Sequence, residues 1–227
     1  MKKVILPLAL FCSASVGAFS VDSMFKIDNG KDNFLLLKNT TNRVEFINVR
    51  LSKITVEQGK VQEQPFDTED FLHWPVYTTP SSIILDPGSA ERVSIVRVNK
   101  ENKEDAMVGI SLIPDTLSSF NNSVDVSVGY KAWYLMPGSS EMTGRLTASR
   151  DSQGNIVLRN QTNKHLSMTI NACGDKSFTD KECISSLFML SGTSKEVALS
   201  TLKGSTGNRI HIRYHDALKK AIHELAI

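Results

Sequence analysis

Apolar and polar residues alternate along most of this chain, and turn residues cut the alternation into short runs. Ile47, Val49 and Leu51 alternate with Asn48 and Arg50, Val93 and Ile95 with Arg92 and Ser94, and Val124, Val126 and Val128 with Asp125 and Ser127. A period of two places each set on one face of an extended strand, so one face is buried and the other meets water. Further runs of this kind occupy 34–38, 82–85, 106–113, 130–136, 155–159, 166–170, 187–190, 195–199 and 208–214. They are separated by Asn39 to Asn42, by Asp86, Pro87 and Gly88, by Pro114, and by Pro137 and Gly138. Strands divided by such residues, with no helical pattern between them, indicate antiparallel β-sandwiches rather than β-α-β units. The chain is therefore expected to be all-β. The last dozen residues differ: Asp216 is a good N-cap, and 216–225 have helical spacing, which predicts a short C-terminal helix.

The first twenty residues have another pattern. Lys2 and Lys3 precede an apolar run over 4–16, and Val16 and Ala18 place small residues where a signal peptidase cuts. This is the layout of a secretory signal peptide, assigned to 1–20, with cleavage after Ala18 or Ser20. The run is shorter than the ~20 apolar residues that span a bilayer, and no later run approaches that length, so the mature protein is not expected to be membrane-inserted. Removing 20 of 227 residues leaves 207, enough for two domains of ~100 residues. Pro137, Gly138, Ser139 and Ser140 form the natural joint, which divides the chain into 21–137 and 138–227.

Export shapes the remaining chemistry. Of 26 basic residues, Lys2 and Lys3 leave with the signal, so 24 face 24 acidic ones. That balance gives no electrostatic basis for binding nucleic acid. Cys12 also leaves, and Cys173 and Cys183 are then most simply a structural disulfide closing a polar loop. His211 and His215 share one strand face but have no third metal ligand in view, so no metal is assigned. There is no glycine-rich phosphate loop, nucleophile elbow or acid pair, so neither a cofactor nor enzymatic activity is implied. Trp74 and Trp133 read as core or interface aromatics, and Tyr77 as support for a turn.

The order of features resembles the periplasmic pilus-assembly chaperones of chaperone–usher systems, the PapD-like proteins. Residues 35–42 resemble their strand leading into an asparagine-rich turn, and 80–93 their apolar strand, Pro-Gly turn and following strand. Residues 110–114 resemble the strand ending in Ile-Pro, and 130–137 the last strand of the first domain, where Lys131 precedes an aromatic stretch and a proline. Residues 154–162, the cysteine pair and 188–192 fit best the alternate branch, which includes the common-pilus chaperones. The acidic-arginine-glutamate signature of the larger branch is absent from 100–107. The arginine which that branch places on its first strand has no clear counterpart in 21–27, where Lys26 is the basic residue.

The resemblance implies two immunoglobulin-like sandwiches in tandem and a periplasmic location in a Gram-negative bacterium. It also implies two partners, fimbrial (pilin) subunits and an outer-membrane usher. A subunit of this kind exposes an unpaired sheet edge, and the chaperone lends it a strand by β-strand addition. By the same resemblance Val124, Val126, Val128 and Tyr130 form the donor strand, and Lys131 anchors the subunit's terminal carboxylate. Arg159 and Lys164 are candidates to face the cleft from the second domain. Two other classes stay open, a secreted fimbrial structural subunit or adhesin and a periplasmic carbohydrate-binding sandwich. The short, charged mature start disfavours the first, and the scattered aromatics the second.

Overall fold

The computed structural model describes residues 19–31, 33–98, 101–115, 128–174, 183–202 and 209–227. Residues 1–18 of the expected signal peptide over 1–20, together with Val124 and Val126 of the expected donor strand, lie outside the described residues. The fold is all-β, and among the described residues its helical elements are two 3₁₀ segments, Thr68–His73 and Leu199–Thr201.

The first half supplies β1 (Phe19–Val21), β2 (Phe25–Ile27), β3 (Asn33–Asn39), β4 (Glu45–Glu57), β5 (Lys60–Pro65), β6 (Val76–Thr79), β7 (Ser82–Leu85), β8 (Ala90–Arg97), β9 (Ala106–Pro114) and β10 (Tyr130–Met136). One sheet runs β1-β3-β8-β6. The other runs β2-β10-β9-β4-β5, with β7 also on β4. The long strand β4 pairs with β9 along one edge, while its other edge passes from β7 to β5. Leu35, Leu37, Val93 and Ile95 from one sheet meet Ile47 and Ile110 from the other in the core. These are the apolar positions of the period-two pattern, and their burial is the main favourable term in this domain.

The second half supplies β11 (Leu146–Arg150), β12 (Ile156–Asn160), β13 (Leu166–Asn171), β14 (Ile184–Met189), β15 (Ser194–Val197), β16 (His211–Asp216) and β17 (His223–Ala226). They form the sheets β11-β12-β15 and β14-β13-β16-β17. Ile156, Leu158, Leu166, Ile170, Ile210 and Ile212 are fully buried between them. The Cys173–Cys183 disulfide is formed and spans the connection from β13 to β14.

Two local expectations are corrected. Residues 21–27 do not form one strand. Phe19–Val21 pairs with β3 in one sheet, the chain bends at Ser23, and Phe25–Ile27 pairs in parallel with β10 in the other. Ser23 stabilises the bend, its Oγ donating to Phe25 O at 2.6 Å and accepting from Phe25 N at 3.2 Å. The C-terminal helix is absent as well. After a turn in which Lys219 adopts φ 53°, the segment becomes β17 on the edge of β16. Ile210 and Ile227 exchange two backbone hydrogen bonds, His223 stacks on Tyr214 at 5.2 Å, and Glu224 pairs with Arg213. An open strand edge offers a short segment hydrogen bonds and packing that outweigh its weak helical preference.

Each domain also turns one corner on the same device. In the first, the buried Asn39 donates through Nδ2 to Arg43 O and Leu85 O, both at 2.8 Å, and its Oδ1 accepts from Thr41 N and Oγ1. In the second, the buried Asn160 donates to Lys164 O at 2.9 Å and Leu190 O at 3.2 Å, and accepts from Thr162 N and Oγ1. The asparagine side chain thereby satisfies backbone groups that the chain reversal leaves without ladder partners.

Candidate functional site

The outer face of the six-stranded sheet, turned away from the first core, looks toward the second domain. Register fixes which side chains lie there. Ile54, Met107 and Leu135 form one cross-strand row, Ser52, Gly109 and Trp133 the next, and Arg50, Ser111 and Lys131 the third. The first row is apolar and packs on Leu190 of the second domain, with Phe25, Val56, Trp133 and Phe188 around it. The Phe25 and Phe188 ring centroids are 4.4 Å apart across the joint. Trp133 is thus an interface aromatic, whereas Trp74 packs with Phe66 and Tyr77. Tyr77 lies on β6 and its hydroxyl donates to Phe71 O.

A charged hinge lies beside this apolar contact. Lys164 Nζ, 1% exposed, pairs with Asp105 Oδ1 at 3.1 Å and donates to Gly138 O at 2.8 Å. Asp105 also accepts from Gly138 N at 2.8 Å and from His165 N at 2.9 Å. This aspartate joins the end of β10 to the Asn160 corner. His165 Nδ1 accepts from Ser191 N at 2.9 Å, and burial pushes the imidazole below its ordinary pKa, partly opposed by Asp105. Gly138 cannot be replaced without displacing backbone, because a Cβ there would stand 2.4 Å from Lys103 O. Lys164 therefore holds the hinge and does not face the cleft. Arg159 lies on β12 in register with Thr147 and Ser194.

The polar rows begin above the hinge. Lys131, on β10, points to the outer face and forms an ion pair with Glu63 of β5. Glu63 also accepts from Ser52 Oγ at 2.7 Å. The Lys131 ammonium first, and the Ser52 hydroxyl second, hold the Glu63 carboxyl below the usual carboxylate range. Lys26 pairs instead with Asp22, within its own segment. Tyr130 lies edge-on to Phe19 at 5.0 Å, its ring turned to its own core, and Val128 is exposed.

β10 has two kinds of edge. Trp133 to Leu135 are covered by β2, but Tyr130, Lys131 and Ala132 pair with β9 alone among the described residues. The resemblance singles out Lys131 through its neighbours in the chain. It does not reach Glu63, Ser52 and Arg50, which come from other strands, or Asp105, which precedes β9; none carries a local motif. His211 and His215 lie along β16, and among the described residues no group of three or more His, Cys, Asp or Glu side chains is placed to hold a metal ion.

Two tandem sandwiches are the fold seen in solved pilus chaperones. The class 5 fimbriae chaperone CfaA aligns with a TM-score of 0.56 at 17% identity, over 92% of this chain and 97% of that one. A chain in the complex of Salmonella enterica SafA pilin with the SafB chaperone aligns at 0.55 and 9% identity, over 95% and 98%. A chain in the CsuC–CsuE chaperone–tip adhesion subunit complex of Acinetobacter baumannii aligns at 0.53 and 12%, over 91% and 97%. In sequence, residues 21–137 match the N-terminal domain of the CS5 fimbrial proteins. A 25.9 kDa protein in the CS5 3′ region of Escherichia coli is 32% identical over 169 residues, 73% of this chain and 74% of that protein. The chain belongs to the CS5 fimbrial protein family.

Proposed function

We propose that this protein is a periplasmic chaperone that holds fimbrial subunits by lending them a strand and passes them to an outer-membrane usher. The observation that carries this is the β10 edge, which among the described residues is open at Tyr130 to Ala132, with Lys131 on its cleft side. The chain before it, over 124–128, is the alternating valine segment. β-strand addition needs an open edge and alternating apolar side chains in the adjoining sequence: main-chain hydrogen bonds give affinity and alternate side chains fill the partner's groove. Val124, Val126 and Val128 supply those side chains. Tyr130, packed on Phe19, marks where the strand returns to its own sandwich. Burying three valines at ~1.5–3 kcal/mol each is a substantial attraction before ordering costs are deducted. Lys131 sets the register by pairing with the subunit's terminal carboxylate. Of the two signal cleavage positions, that after Ala18 fits better, because Phe19 is 1% exposed within the core and β1 begins there.

Co-expression in a periplasm with fimbrial subunits encoded beside the gene tests this. Wild-type chain is expected to keep a subunit soluble and co-purify with it, and Val126→Asp to abolish capture. Capture that survives Val126→Asp removes the donor strand from the proposal. A folded chain that captures no subunit directs attention to a carbohydrate-binding sandwich, and self-polymerisation to a structural subunit.

A further inference from the structure

The outer face of the six-stranded sheet already holds a carboxylate. Glu63 and Lys131 stand on strands three spacings apart, roughly 14 Å, and meet above the strands between them. Gly109 leaves the passage open. A Cβ at that position would stand 2.5 Å from Ser52 Oγ and 3.6 Å from Glu63 Oε1. Ser52 is 4% exposed, yet its hydroxyl turns to the same carboxylate.

A second cation lies beside this pair. Arg50, Ser111 and Lys131 are direct cross-strand neighbours, so they share the face, and the Arg50 and Lys131 backbones flank Ser111 at about 10 Å. Arg50 is exposed, with no hydrogen-bond or ion-pair partner among the described residues. The facing positions of β2 are Phe25 and Ile27, which add no charge. Two cations and a hydroxyl thus share one row of the face, and its Lys131 end is paired with Glu63 of the adjacent hairpin.

We propose that Lys131, Arg50 and Ser111 form a carboxylate site, that Glu63 occupies its Lys131 end in the free chain, and that Glu63 leaves when the terminal carboxylate of a bound polypeptide enters. The identity of that polypeptide rests on the strand-donation reading above; the site itself does not. Glu63 suits displacement because both side chains of the pair are partly exposed, 40% for Lys131 and 35% for Glu63, where an ion pair is weak. While it stays, Lys131 is not a lone cation next to an apolar cleft. An incoming carboxylate must displace Glu63, so one delivered by an already paired strand is favoured over a free anion.

The test uses the full mature chain and an N-acetylated Val-Thr-Val-Thr tetrapeptide as its carboxylate and as its amide, with binding followed by NMR of labelled protein. Wild type is expected to prefer the carboxylate form. Glu63→Gln is expected to bind that form about two- to fivefold tighter, as removal of a weak competing ion pair allows. Arg50→Gln and Lys131→Gln are each expected to lose the preference while keeping the wild-type amide spectrum. In a complex with a fimbrial subunit, the Glu63 carboxyl is expected to titrate closer to an ordinary glutamate than in the free chain. Equal binding of both peptides by wild type, no binding of either, or no gain in Glu63→Gln overturns the proposal. Carboxylate preference without capture of any subunit would keep this site and remove the chaperone function instead.

Discussion

The two asparagine corners are wired alike and do different work. Asn39, Thr41 and Arg43 in the first domain correspond atom for atom to Asn160, Thr162 and Lys164 in the second. In both, the threonine Oγ1 also lies 3.0 Å from the carbonyl oxygen two residues on. The surroundings then set the corners apart. Arg43 is exposed, and its Nε stands 3.7 Å from Glu45, a loose surface pair. Lys164 occupies the same position of the device but is buried against Asp105 and Gly138, where it ties the domains together. One local motif therefore serves as a plain turn in one domain and as the hinge in the other. The decisive difference is water: a solvated cation is nearly indifferent to its partner, whereas a buried one cannot be left without it.

The comparison breaks first at Lys164. Lys164→Ala leaves Asp105 buried without its cation, and a loss of about 3–5 kcal/mol is expected in urea unfolding followed by tryptophan fluorescence. A loss under about 1 kcal/mol, the scale of a surface pair, would mean that the hinge does not depend on this contact. Replacing the asparagines strands buried carbonyls in both domains. Asn160→Ala and Asn39→Ala are each expected to cost about 2–3 kcal/mol by the same assay. Asn160→Ala is expected to be the more damaging, because its corner also positions Lys164.

Acidification probes only the hinge corner. Burial lowers the His165 pKa from its ordinary 6.5, so between those values the unfolded chain binds the extra proton. Stability from this group is complete above the ordinary value of 6.5 and is lost as pH falls below it, by at most about 1.4 kcal/mol per pH unit. Glu63 and Asp28 also have lowered pKa values, but from 4.5 and 3.8, so they act in a more acidic window. Thermal melts from about pH 7 to about pH 5 are expected to show the decline in wild type, and a flatter profile in His165→Asn. The smallest effect is expected at Arg43. Arg43→Ala is expected to change stability by about 0–1 kcal/mol. A cost matching that of Lys164→Ala would erase the distinction between the two corners.

How much was legible depends on the range of the signals. Leu35, Leu37, Val93, Ile95, Ile156 and Leu158 announced their strands, because alternation is local and the core lies on one face. Strand β5 could not be seen: Lys60 to Pro65 are all exposed, and the strand exists through its ladder with β4 and a two-residue turn at Gln58 and Gly59, both at positive φ. The C-terminal segment misled for the converse reason, since its helical spacing was local and its strand partner, β16, was not. Lys131 is singled out by its aromatic and proline neighbours. Glu63, which pairs with it, lies 68 residues earlier in the chain, on a strand with no apolar pattern.

The all-β class, the apolar faces of the main strands, the disulfide pair and the place of Lys131 before its aromatic run follow from local sequence. Each is written in residues that are neighbours or share a period. Folding in three dimensions is what makes Lys164 a hinge residue rather than a cleft residue, turns the last segment into a strand, and sets Arg50, Ser111 and Lys131 in one row with Glu63 above Gly109. Those outcomes depend on cross-strand register and on exclusion of water, which arise when distant segments pair and are not encoded at any single position.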